Sequence, residues 1–193
     1  MGVVTTPTRN RRTEILSAAA GLFAERGFHG VSIEEIGAAV GVSGPALYRH
    51  FRGKEALLTE ILLDISARLS SAGESAASLP PSEAFDVLLR GHIEFALGHP
   101  ELIRVHEREL HNVPLTDQRA IRRLQRLYVE EWVGVVRDLY PGCAVARVRA
   151  AVHAVFGLLN STPRSVGELG REEMASVLEV MARASLRVAV SHD

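Results

Sequence analysis

The chain has 193 residues, 47% hydrophobic and 23% charged, an ordinary globular composition long enough for one large domain or a small domain joined to a medium one. A single cysteine, Cys143, excludes an internal disulfide framework and a cysteine-based zinc cluster. The net charge of −1 does not announce a nucleic-acid partner, and no apolar run nears the ~20 residues that span a bilayer, nor does MGVVTTPTRNRRTE read as a signal peptide, so a soluble cytoplasmic protein without membrane contact is expected.

Thr13 to Arg26 carries Ile15, Leu16, Ala19, Leu22 and Phe23 at helical spacing, and Gly27 follows as a stop. Ser32 to Val40 opens on S-I-E-E, a capping box in which Ser32 caps the helix and Glu35 returns to the Ser32 amide; Gly41 ends it. Ser43 caps a further short helix through Phe51 that stops near Gly53. From Lys54 to about Leu69, the residues Leu57, Leu58, Ile61, Leu62, Ile65 and Leu69 fit one face of a long helix. A Ser/Ala/Gly stretch ending in Pro80-Pro81 predicts a loop or linker. Helices follow over about 82–98, 100–111, 116–140, 144–160 and 171–190, with breaks at Pro100, Pro114, Pro141-Gly142 and from Pro163 to Gly170. No run of strand period appears, so the expected class is all-α with about nine helices.

The stretch from Gly27 to Leu57 is the informative one. Two short capped helices joined by Gly41-Val42-Ser43 fit a helix-turn-helix, whose second helix enters the major groove, or equally a corner of a plain helical bundle. Gly41 permits the left-handed backbone of such a turn, and Val42 and Leu47 would be apolar pegs between the helices. Residues 1–60 hold seven basic against six acidic side chains, but unevenly. Arg9, Arg11 and Arg12 cluster at the start, and Arg49, Arg52 and Lys54 gather around Tyr48 and His50. Such patches contact phosphates or are simply solvated faces.

The segment FAERGFHGVSIEEIGAAVGVSGPALYRHFRGKEALL resembles the DNA-binding domain of the tetracycline-repressor (TetR) family. The match lies in E-R-G-F, in S-I-E-E-I-G and above all in G-V-S-x-x-x-L-Y-x-H-F-x-x-K-E-x-L, over about residues 11 to 60. The resemblance implies a helix-turn-helix domain over 1–53, with an N-terminal arm over 1–12, and a helical ligand-binding and dimerisation domain over 54–193. It implies that Ser32 bonds a phosphate, that Ser43, Gly44, Pro45 and Ala46 form the groove-entering end of the recognition helix, and that Tyr48 and His50 touch backbone phosphates. Arg49 would reach a base edge or phosphate, and Lys54 a phosphate from the start of the fourth helix. Gly44-Pro45-Ala46 departs from the usual pattern, having no polar side chain where base readers often sit. Readout would then rest on Arg49, on the Ala46 methyl against thymine, and on DNA shape. Arg11 and Arg12, with Arg9, would lie in an adjacent minor groove or in a solvated tail.

Beyond residue 60 the resemblance is architectural. The helices over 144–160 and 171–190 carry small apolar residues on two faces (Ala150, Ala151, Ala154, Val155, Gly157 and Leu158, then Val177, Met181, Ala184 and Val188), which suits a homodimer with one face inward and one toward the partner, or a monomer with two fully buried helices. The apolar and amphipathic residues His92, Phe95, His106, Leu110, Tyr128, Trp132, His153, Phe156 and Asn160 lie on helices expected to enclose a ligand; ordinary core packing is the competing reading for each. HPELIRVHEREL and RLQRLYVEEWV resemble, more loosely, relatives that answer to acyl-CoA compounds. Arg104, Arg108, Arg119, Arg122, Arg123 and Arg126 would meet such a ligand's phosphates or form a solvated face.

H-E-R-E-L-H at 106–111 looks like a zinc-protease motif, but its second histidine comes five residues on, about 140° round a helix, so no metal site is expected. G-x-S-x-G, the P-loop and G-x-G-x-x-G are all absent, Cys143 has no evident activating partner, and neither an enzyme nor a cofactor is expected. The resemblance implies a one-component transcriptional regulator, a repressor released from a palindromic operator in double-stranded DNA by a small-molecule effector such as an acyl-CoA or fatty-acid-like metabolite. Alternatives are a multidrug-type regulator of apolar aromatic compounds, or a small-molecule binding protein with weak DNA affinity.

Overall fold

The computed structural model describes residues 11–76, 78–165 and 169–190. Helices α1 (Arg11–Arg26), α2 (Ile33–Ala39), α3 (Gly44–Tyr48) and α4 (Lys54–Ala76) lead into α5 (Pro81–Gly98), α6 (Pro100–Arg108), a 3-10 turn (Leu110–Asn112) and α7 (Leu115–Leu139). Then come α8 (Val145–Leu159), the single turn α9 (Thr162–Ser165) and α10 (Arg171–Val190). The described residues contain no strand, so the chain is all-α, with nine helices of five residues or more plus the one-turn α9.

Several boundaries move. α4 does not stop at Leu69 but runs 23 residues, through the Ser/Ala/Gly stretch expected to be a loop. Ser70 and Ala76 are buried there, and a Cβ on Gly73 would land on the Glu131 carboxylate of α7. The small residues therefore serve the close approach of α4 to α7, and tertiary packing outweighs their weak helix propensity. The helix expected over 100–111 ends at Arg108, and the chain tightens into the 3-10 turn before Pro114. Part of the break expected from Pro163 to Gly170 is the turn α9. Arg11 and Arg12, expected in the arm, are helical, while Arg9 lies outside the described residues.

The core forms two clusters. The first joins α1 to α3 and the lower half of α4, with Ile15, Phe23, Ile36, Leu47, Phe51, Leu57, Leu58, Leu62 and Ile65 buried. It also takes in Val105, Val113 and Ile121 from α6, the loop after it and α7. The second holds Phe85, Leu88, Leu89, Tyr128, Trp132, Val136, Val148, Val152, Val155, Leu159, Leu178, Ala182 and Leu186. Leu69 of α4 packs against both. Packing thus continues across Gly53-Lys54, and the division between clusters runs through α4. No helix among the described residues is long and apolar enough to cross a membrane.

Candidate nucleic-acid interface and aromatic core

The turn between α2 and α3 is built from backbone contacts that only particular residues allow. The Val42 amide donates to Gly37 O at 2.9 Å. A Cβ on Gly37 would stand 2.6 Å from Val42 O, so the closeness of the turn requires glycine there. Gly41 has φ +69°, the left-handed conformation that disfavours other residues. Ser32 caps α2 and Ser43 caps α3, accepting from the Glu35 and Ala46 amides at 3.2 and 3.4 Å. Leu47 is wholly buried under α3, Phe51 nearly so, and Val42 packs on the same cluster.

With that face inward, α3 turns Pro45, Tyr48 and Arg49 to the outside, followed by His50; Gly44 and Ala46 are half-buried. Tyr48 is 54% exposed, unusual for an aromatic ring on a helix this short. Among the described residues the side chains of Tyr48, Arg49 and His50 make no hydrogen bond or ion pair. The exposed Arg52, which the motif comparison passes over, extends the same basic rim; its signal in the sequence is its place between His50 and Lys54.

Other expected phosphate contacts have partners within the protein. The Ser32 hydroxyl donates to Glu35 Oε2 at 2.9 Å, and the Ser32 amide donates to the same oxygen at 2.7 Å. The Ser32 backbone bond, then Arg26 and the Ser32 hydroxyl, hold the Glu35 carboxyl down to about 2. A phosphate approaching Ser32 therefore meets a carboxylate that stays charged. Arg11 pairs with Glu14 at 2.8 Å. Arg12 bonds Glu60 of α4 (Nε to Oε1, 2.6 Å), donates to His50 O at 3.0 Å and stacks on Phe51 at 4.3 Å, tying α1 to the end of the reading helix. Neither sits on a free arm.

Lys54 is also turned inward. Its Nζ donates to Phe28 O and Val31 O, both at 2.8 Å, and lies 4.4 Å from the centre of the Phe28 ring. It closes the α1–α2 loop onto α4. Lys54→Ala is therefore expected to lower stability by about 1.5–3 kcal/mol, the scale for a charged hydrogen bond lost at a partly buried site. Duplex binding measured at several salt concentrations should keep its slope. A slope reduced by about one unit would show that Lys54 neutralises a phosphate after all.

Of the nine expected ligand residues, six come together above the first cluster. His92 lies at the centre. Its Nδ1 is 3.2 Å from the Tyr128 hydroxyl and its Nε2 3.0 Å from Asn160 Oδ1. A ring that donates from Nε2 to Asn160 and accepts at Nδ1 from Tyr128 satisfies all three groups. Tyr128, Phe156, Trp132 and Phe95 surround it, with ring centres 5.9, 5.1, 6.0 and 6.4 Å away. These side chains fill the space between α5, α7 and α8 themselves. Grooves of 480 and 790 Å³ lie elsewhere, one lined by Phe85, Val136, Tyr140 and Arg183, the other between α1, α4 and α6.

The other three part from this group. His153 is exposed on the outer face of α8, because 3.6 residues per turn carries it away from the inward Val148, Val152 and Val155. Leu110 packs on the first cluster. His106 is close enough for its charge to act on His92, but its Nε2 accepts the Gln125 amide at 2.7 Å, while His111 of the same motif is exposed on the 3-10 turn.

Burial holds His92 down to about 4 despite its bond to Asn160, and lowers His106 as well. In the unfolded chain both would titrate near 6.5. Stability from His92 is thus complete above about pH 6.5 and is lost as pH falls toward 4, because the unfolded state takes up a proton that the native state refuses. The loss is about 3 kcal/mol across that window, and His106 acts in the same direction. His92→Gln should flatten the pH dependence of urea unfolding between pH 7 and 4. An unchanged slope would show that His92 is not held neutral.

Hydrogen bonds link the end of this core to α5 and α6. Asn160 caps the end of α8, and beyond it Thr162 donates to Ala96 O at 2.9 Å. Arg104 of α6 donates to Pro163 O at 2.6 Å. The same α6 buries Ile103 and Val105, the latter in the cluster that also holds Leu47.

Comparison with known proteins agrees with this geometry. Residues 15–61 match the model described as bacterial regulatory proteins, tetR family, and residues 78–188 match the tetracyclin repressor-like C-terminal domain. The chain is 48% identical over 52 residues to the HTH-type transcriptional repressor KstR2 of Rhodococcus jostii (strain RHA1), 27% of this chain and 26% of that protein. The chain is matched to the curated relatives over only about a quarter to a third of their length. Among solved structures, the regulator PfmR from Thermus thermophilus is 26% identical, with 95% of this chain and 97% of that chain covered and a TM-score of 0.78. AibR, solved with isovaleryl coenzyme A and operator DNA, is 20% identical, with 89% and 97% covered and a TM-score of 0.74, a likeness of fold.

Proposed function

The chain belongs to the TetR family of bacterial regulatory proteins, and we propose that it is a one-component, homodimeric repressor that leaves a palindromic operator when a small molecule enters its C-terminal half. The observation that carries this reading is the helix-turn-helix with Leu47 buried and Tyr48, Arg49 and His50 exposed and without partners among the described residues. Arg49 forks onto a guanine edge or a phosphate, and Tyr48 and His50 donate to phosphates. As a transcriptional regulator the chain acts as a binding protein rather than an enzyme, in the cytoplasm where its DNA lies.

Dimerisation is supported by α8 and α10, which pack together and leave a shared apolar face outward. Ala150, Ala154 and Gly157 of α8 and Val177, Val180, Met181, Ala184 and Val188 of α10 are all exposed, Val180 by 64% and Val188 by 58%. A two-fold axis there sets the reading helices about 34–36 Å apart, one helical turn of DNA.

The effector site is the aromatic core around His92. A molecule entering it displaces the Phe156 ring and competes for the Tyr128–His92–Asn160 bonds, which moves the end of α8, then α9, Arg104 and α6 against the head. Release follows only from unequal affinity for the two states; a difference of about 1.4 kcal/mol changes operator affinity tenfold. An acyl-CoA or fatty-acid-like effector is favoured, in keeping with AibR and its isovaleryl coenzyme A. The run of aromatic rings, Phe85, Phe95, Tyr128, Trp132 and Phe156, favours as a second reading an apolar aromatic compound of the multidrug type.

Two experiments test the reading. Arg49→Ala should weaken operator binding by about 1–3 kcal/mol, roughly 5- to 150-fold, with Tyr48→Phe weaker in effect; equal binding by wild type and both variants would defeat the contact assignment. Thermal unfolding should be recorded with CoA thioesters, the matching free acids and unrelated aromatic drugs. An effector at 100 times its Kd stabilises the native state by about 2.7 kcal/mol, several degrees. A response confined to drugs would replace the metabolic reading with the multidrug one.

A further inference from the structure

On the first half of α7, Arg119, Arg122, Arg123 and Arg126 recur at i, i+3, i+4 and i+7 and so share one helix face. All four are exposed, and among the described residues none makes an ion pair or hydrogen bond. Several other arginines of the chain are paired. Arg12 is engaged by Glu60, Arg26 by Glu35, Arg149 by Glu130, and Arg183 by Asp86 and Glu179. Residues 104–127 hold six arginines against three acids in a chain of net charge −1. One of those acids, Glu109, is buried beneath the surface.

The position of the stripe identifies what it meets. α7 runs alongside α4 in the same direction: Pro114 and Asp117 share a groove with Arg52, Glu55 and Thr59, and farther on Glu131 covers Gly73. Val113 and Ile121 are buried in the cluster that holds Leu47 under the reading helix. The lower end of α7 is therefore fixed to the DNA-reading head, with Asp117 on the side toward Arg52 and the arginines on the opposite, outward face. The stripe is about 10 Å long, and a duplex carries one phosphate charge per ~1.7 Å of axis. It does not face the aromatic core. Gln125, Tyr128 and Trp132 leave α7 roughly 140° round the helix from the arginines, so the phosphates of an effector seated among those rings stay out of reach.

We propose that the α7 arginine stripe is a second DNA contact, holding the phosphate backbone of duplex flanking the operator through the C-terminal half of the chain. This rests on the DNA-binding reading above. The contact is electrostatic and carries no sequence information, so it adds affinity and salt dependence without altering the operator that is read. A flank that reaches α7 is bent toward the protein, which makes the contact sensitive to flexible steps in the flanking sequence.

The test uses the full chain and a duplex selected from a random library by the wild-type protein, in two lengths: a core of about 20 bp and the same core with flanks to about 45 bp, long enough to pass both heads of a dimer. Fluorescence anisotropy gives Kd at a series of salt concentrations. Wild type should bind the long duplex more tightly and with a steeper salt slope than the core. Arg119→Gln/Arg122→Gln/Arg123→Gln/Arg126→Gln should bring both down to the core values, the slope falling by about 0.9 for each phosphate contact removed, while binding to the core stays as in wild type. The fourfold Arg→Lys variant keeps the charge and should keep the long-duplex slope. Thermal unfolding checks that the variants fold, and sedimentation checks their oligomeric state. Equal slopes for wild type and the Gln variant on the long duplex overturn the proposal, as does a Gln variant that loses its dimer, which would make the stripe a contact between copies. If wild type enriches no duplex from the library, the DNA-binding reading fails instead.

Discussion

Leu47→Ala is expected to cost about 2–5 kcal/mol of stability and to remove most operator binding at temperatures where the C-terminal half is still folded. Leu47 has no exposed surface and is the single buried residue of the five-residue α3. A helix that short is not stable alone; its place depends on the Ser43 cap, the turn at Gly37 and the insertion of Leu47 beneath it. Removing the side chain leaves a cavity where the reading helix is anchored, and Tyr48 and Arg49 lose their fixed orientation together. Urea unfolding followed by circular dichroism, alongside duplex binding, checks both parts. A variant with full operator affinity and a stability loss under about 0.5 kcal/mol, the level of an ordinary surface change, would mean that α3 is held by something other than this contact.

Trp132→Ala is expected to cost about 3–5 kcal/mol, felt first in the C-terminal half. Trp132 is fully buried, with Phe156 at 5.0 Å, Phe85 and His92 both at 6.0 Å and Tyr128 at 6.2 Å between ring centres. No neighbour can swing in to fill so large a gap without breaking the His92 bonds to Tyr128 and Asn160. The resulting cavity is apolar and should take up small aromatic molecules, so added benzene or indole should restore part of the lost thermal stability. No rescue, together with a loss under about 1 kcal/mol, would mean that the rings repack and that the core is more fluid than their geometry suggests. Leu47 and Trp132 belong to different clusters, so the two losses should add in the double variant. A single unfolding transition is still expected, because α4 runs through both.

Much of the fold could be read from the chain because its signals are local. The apolar spacing of Ile15, Ala19 and Phe23, the S-I-E-E box at Ser32, and the prolines at 81, 100 and 114 each act within a few residues, and the helices form where they point. Leu47 was readable as an apolar peg between the two short helices, and the outward place of Tyr48 as what the family resemblance implies; the one is buried and the other exposed. Spacing failed where a helix is stabilised from outside. The stretch from Ser70 to Ala76 looks like a linker, yet it is helical, with Ala76 buried and Gly73 leaving room for Glu131 of α7.

Side-chain partners were harder still. Lys54 occupies the motif position of a phosphate contact, and only the fold of the α1–α2 loop brings Phe28 O and Val31 O to its ammonium. Arg12 reads as part of a basic arm until Glu60, 48 residues on, arrives beside it. His92 and His153 were equivalent candidates by composition; the turn of α8 leaves His153 in water, while α7 and α8 enclose His92 between Tyr128 and Asn160. By itself the sequence determined the helices, since caps, periodicity and turn chemistry depend on neighbours along the chain, while the family rested on the resemblance of one motif. Tertiary structure alone decided which charges are paired within the protein and which polar groups are locked in the core. A charge is neutralised, and a histidine kept neutral, by groups brought close in space, and those groups come from distant parts of the chain.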